Sequence, residues 1–169
     1  MGAAAVARPK KPAKAKKPAK GKVMPLCIAM LICENILVGK DDVASAIRII
    51  DTLTVPATHQ MKVGDLCGFG PLQLLVILKN GDAKGEFQCR LVCRGPDQKA
   101  TPVARVDFTL EGDPEVGKNI AGPLVVRWSG DGLYWIELMA GDILIAKTPL
   151  KIKPEETKPG DEPTGEASD

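Results

Sequence analysis

The residues able to do chemistry are few and widely spaced. There is one histidine, His59, and five cysteines, Cys27, Cys33, Cys67, Cys89 and Cys93. A nucleophilic Cys–His pair would require Cys67 to fold back onto His59, and no third group nearby is placed to orient the imidazole. A loop histidine with local hydrogen bonds is the expected role. Cys89 and Cys93 are four residues apart. On a strand that spacing puts both on one face but about 13 Å apart, too far to share a metal ion. Only a helix would bring them together, and the surrounding alternation opposes one, so both are expected in the core. Asp41-Asp42, after Gly39-Lys40, lacks the regular oxygen spacing of a calcium loop and reads as a solvated turn. The stretch from Gly64-Asp65 to Gly68-Phe69-Gly70 has glycines but no Lys-Ser/Thr ending and no helix to follow, which excludes a phosphate loop. The sequence thus points to no catalytic residue, no metal ligand and no cofactor. An enzyme with a dispersed site near His59 and Cys67 is the least favoured reading.

Charge supplies a stronger signal. The chain of 169 residues has a formal net charge of +2, which conceals a sharp asymmetry. Residues 1–22 carry Arg8, Lys10, Lys11, Lys14, Lys16, Lys17, Lys20 and Lys22 with no acid. Residues 154–169 carry Glu155, Glu156, Asp161, Glu162, Glu166 and Asp169 against Lys158. Both segments have little bulky apolar surface to bury and are broken by proline, a composition that cannot offset the ordering cost of about 1–2 kcal/mol per residue. The expected organisation is a disordered basic Lys/Ala/Pro tail over 1–22, a folded domain over 23–153 and a disordered acidic tail over 154–169. The eight cations match a polyanion backbone and would bind nucleic acid through counterion release, without base readout. No aromatic is interleaved among them to stack on bases. The other roles for this tail are contact with an acidic surface or simple solubilisation.

The elements between the tails alternate. Phe87, Cys89, Leu91 and Cys93 would share one face and Gln88, Arg90, Val92 and Arg94 the other, the pattern of a half-buried strand. Val103–Leu110 alternates likewise. Leu26–Val38 is a long apolar run interrupted at Glu34-Asn35, and Ala44–Val55 is rich in β-branched residues. Leu72–Leu78, Gly122–Trp128, Leu133–Met139 and Ile143–Ile152 complete the set. Asn80-Gly81-Asp82 and Gly141-Asp142 are turn signals, the second joining its flanking strands in a tight hairpin. No stretch has helical periodicity. About seven or eight strands at this spacing predict an all-β, immunoglobulin-like sandwich. Tyr134, the one tyrosine, stands near the start of a late strand, where such sandwiches bond a tyrosine hydroxyl back to nearby backbone. With aromatic residues at 4%, Trp128 and Trp135 are expected chiefly as core filling, with a partner-anchoring role as the other possibility.

Four blocks also carry a family likeness: Met30–Val38, Ile47–Thr54, Pro56-Ala57-Thr58-His59, and the closing hairpin Gly132–Pro149 with its GxYxxxL and IAxTPL runs. Through them, residues 24–153 resemble a family of small, uncharacterised bacterial β-sandwich proteins classed as a domain of unknown function. The resemblance implies the fold and transfers no site.

A lysine-rich run before Met24–Cys33 mimics a secretory signal, but Glu34 and Asn35 stand where small residues should prepare cleavage. The apolar run is also too short to span a bilayer. An odd cysteine count argues against a disulfide framework, and a cytoplasmic location is the expectation. The functional expectation is a non-enzymatic binding or scaffolding module. Its partner would be an unknown protein or a second copy, engaged through an edge strand, with nucleic acid at the basic tail as the alternative.

Overall fold

The computed structural model describes residues 23–41, 43–55, 62–66 and 72–155. Nine strands account for most of them: β1 (Leu26–Val38), β2 (Ala44–Ile49), β3 (Thr52–Val55), β4 (Gln73–Lys79), β5 (Lys84–Arg94), β6 (Ala100–Glu111), β7 (Gly117–Pro123), β8 (Gly132–Ala140) and β9 (Ile143–Pro154). They form a four-stranded sheet in the order β2-β1-β4-β7 and a five-stranded sheet in the order β3-β9-β8-β5-β6. The described residues contain no helix.

This is the connectivity of an immunoglobulin-like sandwich. The β1-β4-β7 group faces a β9-β8-β5-β6 group, and the early strand β3 runs parallel to the last strand, β9, with Leu53 opposite Ile152. Every other pairing of strands is antiparallel.

Alternation sets the core. Phe87, Cys89, Leu91 and Cys93 of β5 face inward with Tyr134, Ile136 and Leu138 of β8 and Leu150 and Ile152 of β9. Met30 and Ile32 of β1 and Leu74, Val76 and Leu78 of β4 oppose them from the other sheet. Phe87 and Phe108 lie directly opposite in register and stack with ring centroids 5.8 Å apart. Such a contact adds about 0.5–1.5 kcal/mol beyond burial. Cys89 and Cys93 are both buried in this core, as their alternation predicted.

Two turns follow the sequence signals. Gly141, at φ 60°, takes the first central position of the two-residue β8–β9 turn, where a side chain would be strained. Gly81, at φ 53°, does the same after Asn80, whose carbonyl accepts a 2.9 Å bond from Ala83 N.

Three details differ from the sequence reading. First, Leu26–Val38 is one strand, and its irregularity lies between Cys27 and Ala29, not at Glu34-Asn35. Second, Ala44–Val55 is not one strand. It divides at Ile50-Asp51, leaving β2 in one sheet and β3 in the other. Ile50 N donates to Ile32 O at 2.8 Å, while Asp51 O accepts from Lys151 N at 2.8 Å. Adjacent residues thus bond into opposite sheets. Third, the seventh strand is Gly117–Pro123, five residues upstream of the expected Gly122–Trp128. Leu124–Trp128 instead leaves the sheet and bonds to residues 64–66 and 72.

Candidate functional site

Three surfaces stand out among the described residues. The first is a ribbon. β1 pairs with β4 only from Leu26 to Cys33, but pairs with β2 from Cys33 to Val38. Residues 34–38 and 44–49 therefore project past β4 as a two-stranded extension, with β2 on the sheet edge. Its side chains are apolar yet wet. Leu37, Val38, Val43, Ile47 and Ile49 are all exposed, Ile49 at 63%. An ion pair on the ribbon joins Arg48 Nη1 to Glu34 Oε1 at 3.1 Å. Arg48 holds φ at 52°, a left-handed conformation that L side chains rarely adopt.

The second surface is the outer face of the five-stranded sheet. Register places Trp135 between Arg94 on β5 and Pro149 on β9. Lys147 Nζ lies 4.4 Å from the centroid of the Trp135 ring. Arg94 reaches Glu137 with two guanidinium nitrogens, at 3.3 and 3.2 Å, and donates a third bond to Gln98 O at 3.0 Å. The hydrogen-bonded and adjacent Glu137 carboxylate pushes the Arg94 pKa further above its ordinary value.

The third is a shallow cleft of about 170 Å³, lined among others by Gly64, Cys93, Asp97, Lys99, Arg127 and Trp128. Val63 and Gly64 line it from the segment 62–66. Gly64 N bonds to Trp128 O, and Trp128 N to Asp65 O, while Arg127 Nη1 donates to Gly64 O. The cleft's carboxylate, Asp97, sits 3.8 Å from Lys99 Nζ, and Cys93 is 3% exposed. That arrangement supplies no nucleophile–base pair among the described residues.

Tyr134 sits beside this cleft and makes the corner that its position predicted. It is fully buried, donates to Gly130 O at 2.7 Å and accepts from Ser129 N at 2.8 Å. It fixes the turn that feeds β8.

Two cysteines lie on β1, Cys27 at its start and Cys33 at the base of the ribbon. Burial raises the thiol pKa of both Cys27 and Cys33, against a smaller lowering by backbone hydrogen bonds. A thiol held neutral is a poor nucleophile. Among the described residues, no three His, Cys, Asp or Glu side chains come close enough to hold a metal ion.

Several residues singled out by sequence fall elsewhere. Arg8, Lys10, Lys11, Lys14, Lys16, Lys17, Lys20 and Lys22 lie outside the described residues, as do His59, Cys67, Asp42 and Gly68-Phe69-Gly70. Asp41 is exposed, and its carboxylate accepts from Val43 N at 3.3 Å, the bond of a turn. Asp65 likewise caps its own turn through Lys62 N. Of the two tryptophans, Trp128 packs against the core while Trp135 is half-buried on the outer face. Sequence reasoning did not find the ribbon, whose apolar residues read as core. It also missed the cluster around Trp135, although the alternation of β8 and β9 carried the signal for it.

No family model matches the chain, and no curated protein matches it. Among solved structures, an immunoglobulin-like protein from Pseudomonas aeruginosa aligns with 79% of this chain and 99% of its own length, at 13% identity and a TM-score of 0.33. No helix among the described residues is long and apolar enough to cross a membrane.

Proposed function

We propose that this protein is a non-enzymatic binding module that takes an extended protein segment along edge strand β2. The observation that carries this reading is the ribbon: an edge strand with no described strand beyond it, and with Ile47 and Ile49 exposed. A two-stranded ribbon is at best marginally stable alone in water. An added strand would satisfy its edge and cover Ile47 and Ile49, the logic of β-augmentation. The added strand belongs to another protein or to a second copy of the chain.

The test is a pair of substitutions, Ile47→Lys with Ile49→Lys, compared with the parent by analytical ultracentrifugation and by crosslinking in cell extract. Retained thermal stability with loss of self-association, or of specific crosslinks through β2, supports the reading. Identical assembly and crosslinks in both proteins would overturn it.

A second reading rests on the eight cations of residues 1–22. Sequence-independent binding to nucleic acid predicts a slope of log K against log salt of about −5 if about six of them engage phosphates. Fluorescence anisotropy with labelled duplex DNA and RNA reads that slope. Binding that survives neutralisation of those eight residues removes this reading.

A further inference from the structure

The two sheets of the sandwich treat their outer faces differently. On the five-stranded sheet, β5 turns Phe87, Cys89, Leu91 and Cys93 inward and sets Lys84, Glu86, Gln88, Arg90 and Arg94 on the opposite face. On the four-stranded sheet, β4 has no such polar side. Leu74, Val76 and Leu78 fill the core, while Leu75 and Ile77 alternate onto the outer face. Register extends that face over the neighbouring strands. Leu31 lies opposite Leu75 and Ala29 opposite Ile77, with Ala121 and Asn119 beyond them on β7. Leu26 and Ile28 flank the inward Cys27 at one end, and Leu37, Ile47 and Ile49 continue the face along the ribbon. Leu26, Ile28, Leu37, Ile47 and Ile49 are exposed, whereas Leu75 and Cys33 are already buried. Among the described residues, Lys79 is the one charged side chain that register puts here, and its Nζ donates to Glu115 O at 2.8 Å. A strand that is apolar on both faces is the mark of a sheet covered on both sides.

We infer that this face is an interface between two copies of the chain, packed sheet on sheet about a two-fold axis. Three observations select a second copy. The rest of the chain has too little to cover the face: outside the described residues, its large apolar side chains are Met1, Val6, Met61 and Phe69. The face also lacks charge. It has nothing to select an oppositely charged partner, and a two-fold axis sets no like charges against each other across it. Its size fits as well. At strand spacings of about 4.8 Å and about 3.3 Å per residue, β1, β4, β7 and the ribbon present roughly 500 Å² in projection. Two copies together bury on the order of 1,000 Å², the threshold of a specific interface, so the dimer is a weak one. This inference goes beyond the edge-strand reading, because it concerns the face of the sheet and holds whether or not β2 takes an added strand. Leu26 and Ile28 separate the two, since β1 pairs there with β4 and not with β2.

The experiment uses the whole chain. Sedimentation equilibrium should show a species of twice 18.0 kDa, with a Kd below about 50 μM. Leu26→Glu with Ile28→Glu should weaken that dimer about a hundredfold while keeping the parent's thermal midpoint, because both side chains are exposed. Leu133→Glu, an equally exposed position on the other sheet, should leave it unchanged. In a mixed dimer of labelled and unlabelled parent, isotope-filtered NOEs should connect methyl groups of Ile28, Leu31, Ile77 and Ile49 across the two copies. A parent that stays monomeric at about 200 μM overturns the inference and leaves the edge-strand reading to its own crosslinks. A dimer that survives Leu26→Glu with Ile28→Glu also overturns it. Intermolecular NOEs confined to the β2 backbone would do the same, and would support the added strand at the edge instead.

Discussion

The β8–β9 hairpin and the β1–β2 ribbon are built from similar residues and meet opposite fates. Along β8, Tyr134, Ile136 and Leu138 are fully buried. Along β2, no residue is buried, although Ala44, Ala46, Ile47 and Ile49 are as apolar. The difference lies in what stands beyond each strand. β8 is flanked by β5 and β9 and faces the other sheet, whereas β2 has β1 on one side and nothing described on the other. Apolar patterning therefore marks a surface that needs covering. Whether the cover comes from the same chain depends on register with distant strands.

The largest effect should come from truncating the covered side. Ile136→Ala removes a fully buried side chain and should cost about 2–5 kcal/mol, read by urea unfolding. The same change at Ile49 should stay within about 0.5 kcal/mol. Equal losses at the two positions would erase the contrast. Tyr134→Phe comes next. It strands Ser129 N and Gly130 O, and should cost about 1–3 kcal/mol while leaving the strands in place by circular dichroism. Lys147→Ala follows, with about 0.5–1 kcal/mol at most from the ring contact and a change in Trp135 emission as its direct readout. The last effect is absent at neutral pH. Burial raises the Cys33 pKa above its ordinary value of 9.0 in the folded chain. The unfolded thiol then ionises first, so stability is intact below pH 9 and declines as pH rises through the folded value. Cys33→Ala should make that decline less steep in melts between pH 8 and 10.

Much of the sandwich was legible in local pattern. β5 shows its alternation plainly because one face meets the core and the other meets water. Gly141 announced the hairpin, and Tyr134 announced the corner, because both act through nearby backbone. The division of Ala44–Val55 was not legible. Its β-branched residues favour extended chain on either side of Ile50, and the choice of sheet is made by Ile32 and Lys151, far away in sequence. β7 was displaced for a related reason. It is an edge strand whose residues are mostly exposed, so Lys118 and Asn119 broke the apolar pattern that a central strand would show. The ribbon was misread as core because sequence records hydrophobicity and not the presence of a neighbour.

The parallel pairing of β3 with β9 has a consequence for how the chain comes to be folded. Leu53 and Ile152 lie about a hundred residues apart in sequence yet sit side by side. Contacts of such separation form late, since the intervening chain must be ordered before they are rewarded, and they slow folding toward the millisecond-to-second range. During synthesis at about 5–20 residues per second, β8 waits about one to three seconds with one flank uncovered, since β9 ends at Pro154. The arrival of the last strand covers that flank and joins the two sheets into one cooperative unit.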